Sequence, residues 1–181
     1  MAVVGGGLTL AAAPLLPPLE IAADPRLWLA FLPLALLGVL VQTGAEELVF
    51  RGYVQSHLAA RFGAPLVYMT VPSLLFGLAH YNPGELGANL WIVVAATALF
   101  GVYASDLTAR SGSLGLAWGL HFANNVLAIL IVSVMGGLDG LALFHLPAGA
   151  APEAMLRPLL LADMALTAIV WGACRLWLRR R

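Results

Sequence analysis

The sequence predicts an all-α, polytopic transmembrane helix bundle of about five to six spans. Three observations carry that prediction. Of 181 residues, 61% are hydrophobic and only 10% charged, against roughly 45–50% and about 25% in ordinary soluble domains. With a mean hydropathy of +0.93, a globule of this length could not hide its apolar surface from water. The apolar residues also fall in continuous runs, far longer than the roughly 9–11 alternating residues of a barrel strand. Only helices and closed barrels satisfy their backbone in lipid, so the runs are helices.

Taken in order, residues 1–25 read as a weak span or a membrane-surface segment. No positive charge precedes Leu19, and Pro14, Pro17 and Pro18 interrupt the apolar stretch, which does not fit a cleaved signal peptide. The first clear helix starts near residue 27, passes 41, and continues as an amphipathic helix to about 60. Further helices are expected over 65–81, 88–105, 114–135 and 156–178. Breakers separate them: Gly63 with Pro65, Asn82-Pro83-Gly84, Ser111-Gly112-Ser113, and Gly136-Gly137 with Pro147 and Pro152. No internal repeat, low-complexity tract or long linker divides the chain, so residues 1–181 are expected as a single domain.

Charge placement predicts orientation. Arg51 and Arg61 flank the first connection, Arg110 lies in the third, and Arg175, Arg179, Arg180 and Arg181 close the chain. The second and fourth connections lack basic residues until Arg157. Under the positive-inside rule the first and third connections and the C-terminus are cytoplasmic, in what is expected to be a prokaryotic plasma (inner) membrane. The formal net charge of zero leaves no basic footprint for nucleic acid. Membrane lipids and a membrane-associated protein or peptide are the expected partners. The single cysteine, Cys174, excludes an internal disulfide and a multi-cysteine metal cluster.

Ionisable groups inside spans are costly and mark function. Three clusters stand out: Glu46-Glu47-Leu48-Val49-Phe50-Arg51, Phe76-Gly77-Leu78-Ala79-His80, and His121-Phe122-Ala123-Asn124-Asn125. Glu47 and Arg51 stand at i,i+4 with the acid first, the better order for an intrahelical pair. Glu46 points about 100° away and has no partner local in sequence. His121 and Asn125 share a helix face, while Asn124 points elsewhere. If Gly63 is the hairpin turn, Glu46 and His80 lie equally far from it on antiparallel helices, which places them level. The four side chains Glu46, His80, His121 and Asn125 are therefore expected to face one chamber.

Such a chamber suits hydrolysis in either of two ways. A carboxylate with a histidine can activate water while the second histidine and the amide stabilise an oxyanion. Alternatively, Glu46, His80 and His121 could ligate a divalent metal such as zinc that keeps an open position for water. The residues alone leave both open.

These three motifs, in this order on successive apolar helices, resemble the CPBP family of intramembrane proteases. That family includes the eukaryotic type II CAAX prenyl endopeptidase and prokaryotic relatives linked to bacteriocin processing or self-immunity. The resemblance covers residues 46–125. It implies an intramembrane endopeptidase in which Glu46 is the catalytic carboxylate and His80 helps activate water. His121 and Asn125 would complete the site, and Glu47 and Arg51 would support it. Both metal-dependent and metal-free glutamate mechanisms are described for the family.

Other intramembrane protease signatures are absent: none of His57, His80, His121 or His145 begins HExxH, and neither GxSxG nor GxGD occurs. Leu138-Asp139-Gly140 reads as a glycine-rich turn. His57 and His145 read as surface groups. Trp28, Trp91, Trp171 and Trp177 read as interfacial anchors, whereas Trp118, a turn before His121, is expected to line the chamber. Gly115 and Gly119 form a GxxxG pair expected to allow close helix approach. Two other functions compete with proteolysis: a non-catalytic scaffold or self-immunity factor on the same fold, and a proton-relaying transporter, which the lack of an inverted repeat disfavours.

Overall fold

The computed structural model describes residues 19–133, 139–145 and 152–180. Among them run five helices: α1 (Pro25–Phe62), α2 (Pro65–Leu78), α3 (Pro83–Ser111), α4 (Gly115–Ile131) and α5 (Pro152–Leu178). The expected N-terminal membrane segment falls outside the described residues up to residue 18. α1, α3 and the Leu160–Leu178 part of α5 are long and apolar enough to cross a membrane, while α2 and α4 are shorter apolar helices. At 14 residues, α2 reaches only about 21 Å, less than the roughly 30 Å hydrocarbon core. The architecture is that of a multi-pass helical membrane protein, with three helices of full spanning length and two shorter apolar helices among the described residues.

Local chemistry explains where the helices begin and end. The Asp24 carboxylate accepts from the backbone N–H of Arg26 at 2.7 Å and of Leu27 at 3.3 Å, and Pro25 supplies a preset φ at the first helical position. α1 is α-helical to Glu47, π-helical over Leu48–Gln55, and α-helical again over Ser56–Phe62. Gly63, at φ +63°, ends it, and Pro65 opens α2, so the hairpin turns where the sequence placed it. α3 outruns its expected end at 105. Asp106 pairs with Arg110 one turn on at 2.7 Å and accepts from the Trp171 indole at 2.9 Å, so these polar residues stay helical.

α4 stops at Ile131 instead of 135. There Val132 turns extended and Val132–Ser133 pairs with Phe144–His145, which also pairs with Glu20–Ile21. This three-stranded sheet of two-residue strands is an addition to the all-α expectation. It ties the start of α1 to the end of α4, helped by the Trp28 indole, which donates to both Leu130 O and Leu141 O at 3.1 Å.

α3 is the central helix, packing on α2, α4 and α5. The tightest seams are not where GxxxG predicted. A Cβ on Gly119 would meet nothing within 4 Å, and on Gly115 only the Ser113 hydroxyl. Instead Gly77 of α2 lies against α3, where a Cβ would sit 2.7 Å from Val94 O and 2.8 Å from Ala98 Cβ. Gly101 of α3 lies equally close to Ser73 of α2. Gly44 of α1 faces the Trp118 ring, 2.7 Å from where its Cβ would be. Trp118 therefore does not line the chamber. It clamps α4 onto α1, its indole donating to Leu40 O at 3.3 Å and to the Thr43 hydroxyl at 3.1 Å. Trp171 is likewise more than an anchor, since it stacks on Tyr103 and lies under the Arg175 guanidinium.

Candidate active site

Phe76, Phe100, Ala104 and Ala117 form an apolar cluster from α2, α3 and α4, and the polar groups of the site rest on it. Phe76, 1% exposed, is its hub. Its ring meets His80 at 4.9 Å and His121 at 5.6 Å between centroids, both edge-on, and the Arg51 guanidinium lies 4.6 Å from its centre. The aromatic ring thus spaces the two histidines and gives the buried cation a π face.

The adjacent glutamates of α1 enter different environments. Glu47 is fully buried, and its Oε1 accepts from Arg51 Nη1 at 2.9 Å and from His121 Nδ1 at 2.8 Å. The expected i,i+4 pair is present, with His121 as a third member. Because a carboxylate only accepts, the hydrogen of that imidazole contact sits on His121 Nδ1. His121 Nε2 then faces Glu46 Oε2 at 3.7 Å, too far for a direct hydrogen bond. Glu46 keeps 29% of its side chain exposed, and its Oε2 has no hydrogen-bond partner among the described residues.

Glu46 does have a partner local in sequence, contrary to expectation. Gln42, one turn earlier on α1, donates from Nε2 to Glu46 Oε1 and accepts on its own Oε1 from Asn125 Nδ2 at 3.2 Å. The sequence carried that signal, since a Gln–Glu pair at i,i+4 shares a helix face. Gln55, a turn beyond Arg51, is a second omission; it donates to Ser105 O at 2.9 Å and ties α1 to α3.

His80 follows the last turn of α2, its Nδ1 2.8 Å from Phe76 O. A carbonyl only accepts, so Nδ1 carries the proton and Nε2 presents its lone pair. Glu46, His80 and Asn125, together with Gln42, Phe50 and Phe76, line one cavity of about 610 Å³. His121, 2% exposed, stands behind that wall, hydrogen-bonded to Glu47 and packed between Phe76 and Phe100. Three of the four expected side chains thus share a chamber, and the fourth supports it. An apolar cavity of about 300 Å³ beside Trp28, Phe31 and Leu130 shares Ala35 and Leu141 with the first.

His57 and His145 stay outside the site. His57 is exposed with Nδ1 at 2.8 Å from Tyr53 O, and His145 Nε2 lies 3.1 Å from Glu20 Oε2. As for a metal, no group of three His, Cys, Asp or Glu among the described residues is arranged to hold one.

Glu46, His80 and Asn125, from α1, the end of α2 and α4, thus meet around one cavity in an apolar bundle. The chain belongs to the Rce1-like type II CAAX prenyl endopeptidase family, whose model matches residues 28–127 and so takes in Glu46 through Asn125. It is 32% identical over 127 residues to the uncharacterized protein YyaK of Bacillus subtilis (strain 168). That similarity covers 67% of this chain and 42% of the relative, so the chain spans under half the relative's length. No solved structure matches.

Proposed function

We propose that this protein is an intramembrane endopeptidase that hydrolyses a peptide bond in a membrane-associated protein or peptide. The observation that carries this reading is the placement of Glu46, His80 and Asn125 around one cavity. Water held between the Glu46 carboxylate and the His80 imidazole loses a proton to Glu46 as its oxygen attacks the peptide carbonyl. The second amide hydrogen of Asn125 donates to the oxyanion, since the first is engaged by Gln42. Glu46 then returns its proton to the leaving nitrogen as the C–N bond breaks. His121 and Arg51 hold the carboxylates in place. The neighbouring apolar cavity supports a substrate whose cleavage site adjoins a hydrophobic group. Arginine placement supports a cytoplasmic active-site face.

The test is cleavage of membrane-associated reporter peptides, isoprenylated and unmodified, by purified protein in lipid nanodiscs. Glu46→Gln keeps the shape of the side chain and removes the base, so the rate should fall by about 10²–10⁴ with the helical spectrum unchanged. Undiminished cleavage by Glu46→Gln defeats the reading. Exhaustive dialysis against a chelator should leave the wild-type rate unchanged; a loss that zinc restores would replace this mechanism with a metal-bound water.

A further inference from the structure

Gln42 belongs to none of the three motifs, yet it is the one side chain hydrogen-bonded to both Glu46 and Asn125 among the described residues. The two ends of an amide differ, because the N–H donates and the oxygen accepts, whereas an ionised carboxylate only accepts. Glu46 therefore dictates which way Gln42 faces: nitrogen towards the carboxylate, oxygen towards α4. Gln42 in turn dictates Asn125. Flipped, Asn125 would bring its oxygen against the Gln42 oxygen, two acceptors in contact. Held as it is, its nitrogen reaches the cavity wall, and Asn125 Oδ1 is left buried with no hydrogen-bond partner among the described residues. An unsatisfied buried carbonyl is costly, so this orientation has to be enforced, and the Gln42 contact enforces it.

We propose that Gln42 is a positioning residue that aims the Asn125 N–H at the substrate carbonyl, with the Glu46 charge as its reference. The inference rests on the endopeptidase reading above. It links the two halves of the reaction: the group that takes the proton from water also sets the group that receives the oxyanion. Without Gln42, Asn125 is free to flip, and the acceptor it then presents repels the developing negative charge. The N–H bonds the oxyanion of the transition state far more strongly than the resting carbonyl, so the defect belongs in kcat and not in KM.

The experiment compares wild type, Gln42→Leu, Gln42→Met, Asn125→Ala, Gln42→Leu/Asn125→Ala and Glu46→Ala in nanodiscs, with thermal unfolding recorded for each. Removing an oxyanion donor costs about 10²–10³ in kcat, and losing its aim should cost less, so both Gln42 variants should lose roughly 10- to 100-fold in kcat at unchanged KM. In the Asn125→Ala background the Gln42→Leu step should lose only a small fraction of that, because a residue acting through Asn125 has nothing left to orient. Both Gln42 variants matching wild type in kcat, with Glu46→Ala inactive, overturn this inference alone. Equal, additive losses in the two backgrounds overturn it as well, since they show Gln42 acting independently of Asn125. A wild-type rate matched by Glu46→Ala overturns the endopeptidase reading and this inference with it.

Discussion

Gly77→Ala tests whether the α2–α3 seam sets the position of the site. The added methyl would lie 2.7 Å from Val94 O and 2.8 Å from Ala98 Cβ, where ordinary contact is about 3.5–4.0 Å. The helices must part by roughly 1 Å, because one obstacle is backbone and the other sits directly on it. Overpacking of this kind costs about 1–3 kcal/mol, and the gain from replacing a helical glycine with alanine returns roughly 0.5–1 kcal/mol. The net loss should be about 1 kcal/mol, and at most about 2.5 kcal/mol, in reversible unfolding from mixed micelles. Phe76 and His80 lie one and three residues away on the same helix end, and a 1 Å misplacement can cost about 10²-fold in rate. Ala98→Gly removes one of the two obstacles and should restore part of both losses. Gly119→Ala, with open space around it, should be as stable as wild type or slightly more so. If Gly77→Ala proves as stable and active as Gly119→Ala, the seam does not position the site.

Two further expectations address the buried charges and the orientation. Glu47→Gln should cost about 3–5 kcal/mol, because Arg51, 2% exposed, loses its counter-charge in an apolar interior. Adding Arg51→Met should recover much of that stability and none of the activity, since His121 still lacks its carboxylate; a Glu47→Gln protein of wild-type stability would contradict this. In a Cys174→Ser background, Gly63→Cys should react with a membrane-impermeant maleimide only in inverted vesicles, and Gly84→Cys only in intact cells; the opposite pattern reverses the orientation.

The site was legible in sequence where it obeys short-range helix geometry. The Glu47–Arg51 pair follows from four-residue spacing, and the hairpin at Gly63 follows from a residue that tolerates positive φ next to Pro65. The shared face of His121 and Asn125 follows from the same spacing, and both are 2% exposed. What escaped depends on contacts between helices. GxxxG marks a helix that can be approached, not one that is, and here Gly77, Gly101 and Gly44 are the approached positions. Trp118 sits a turn before His121, but the open face of Gly44 draws its ring against α1. The two-residue strands are too short for any periodic signal, and they form because Val132, Phe144 and Ile21 come together at one end of the bundle. The shift of His121 from cavity wall to second layer depends on Glu47 reaching it across 74 residues of chain, which no local pattern encodes.

Two of the three helices that carry the site leave α-helical geometry just beyond their key residues, over Leu48–Gln55 after Glu46 and Glu47 and over Leu127–Ile131 after Asn125. Bonding from i to i+5 adds a residue to the turn, and such turns recur at functional sites because they re-aim side chains. α1 also shows a division of labour, set by the ordinary 100° offset between neighbours in its α-helical part. Glu47, Arg51 and Gln55, spaced by four, are all buried, while Gln42 and Glu46, also spaced by four, line the cavity. Two carboxylates adjacent in sequence thereby acquire unlike surroundings, which is how paired acids take unlike roles. Glu47 spends one oxygen on both a guanidinium and an imidazole and is fixed. Glu46 is tethered by one oxygen to Gln42, and its other oxygen, buried without a hydrogen-bond partner among the described residues, faces His121 Nε2 at 3.7 Å. His121 is bonded to the first and faces the second at 3.7 Å, and on the proposed reading this arrangement leaves Glu46, and not Glu47, as the carboxylate for proton transfer.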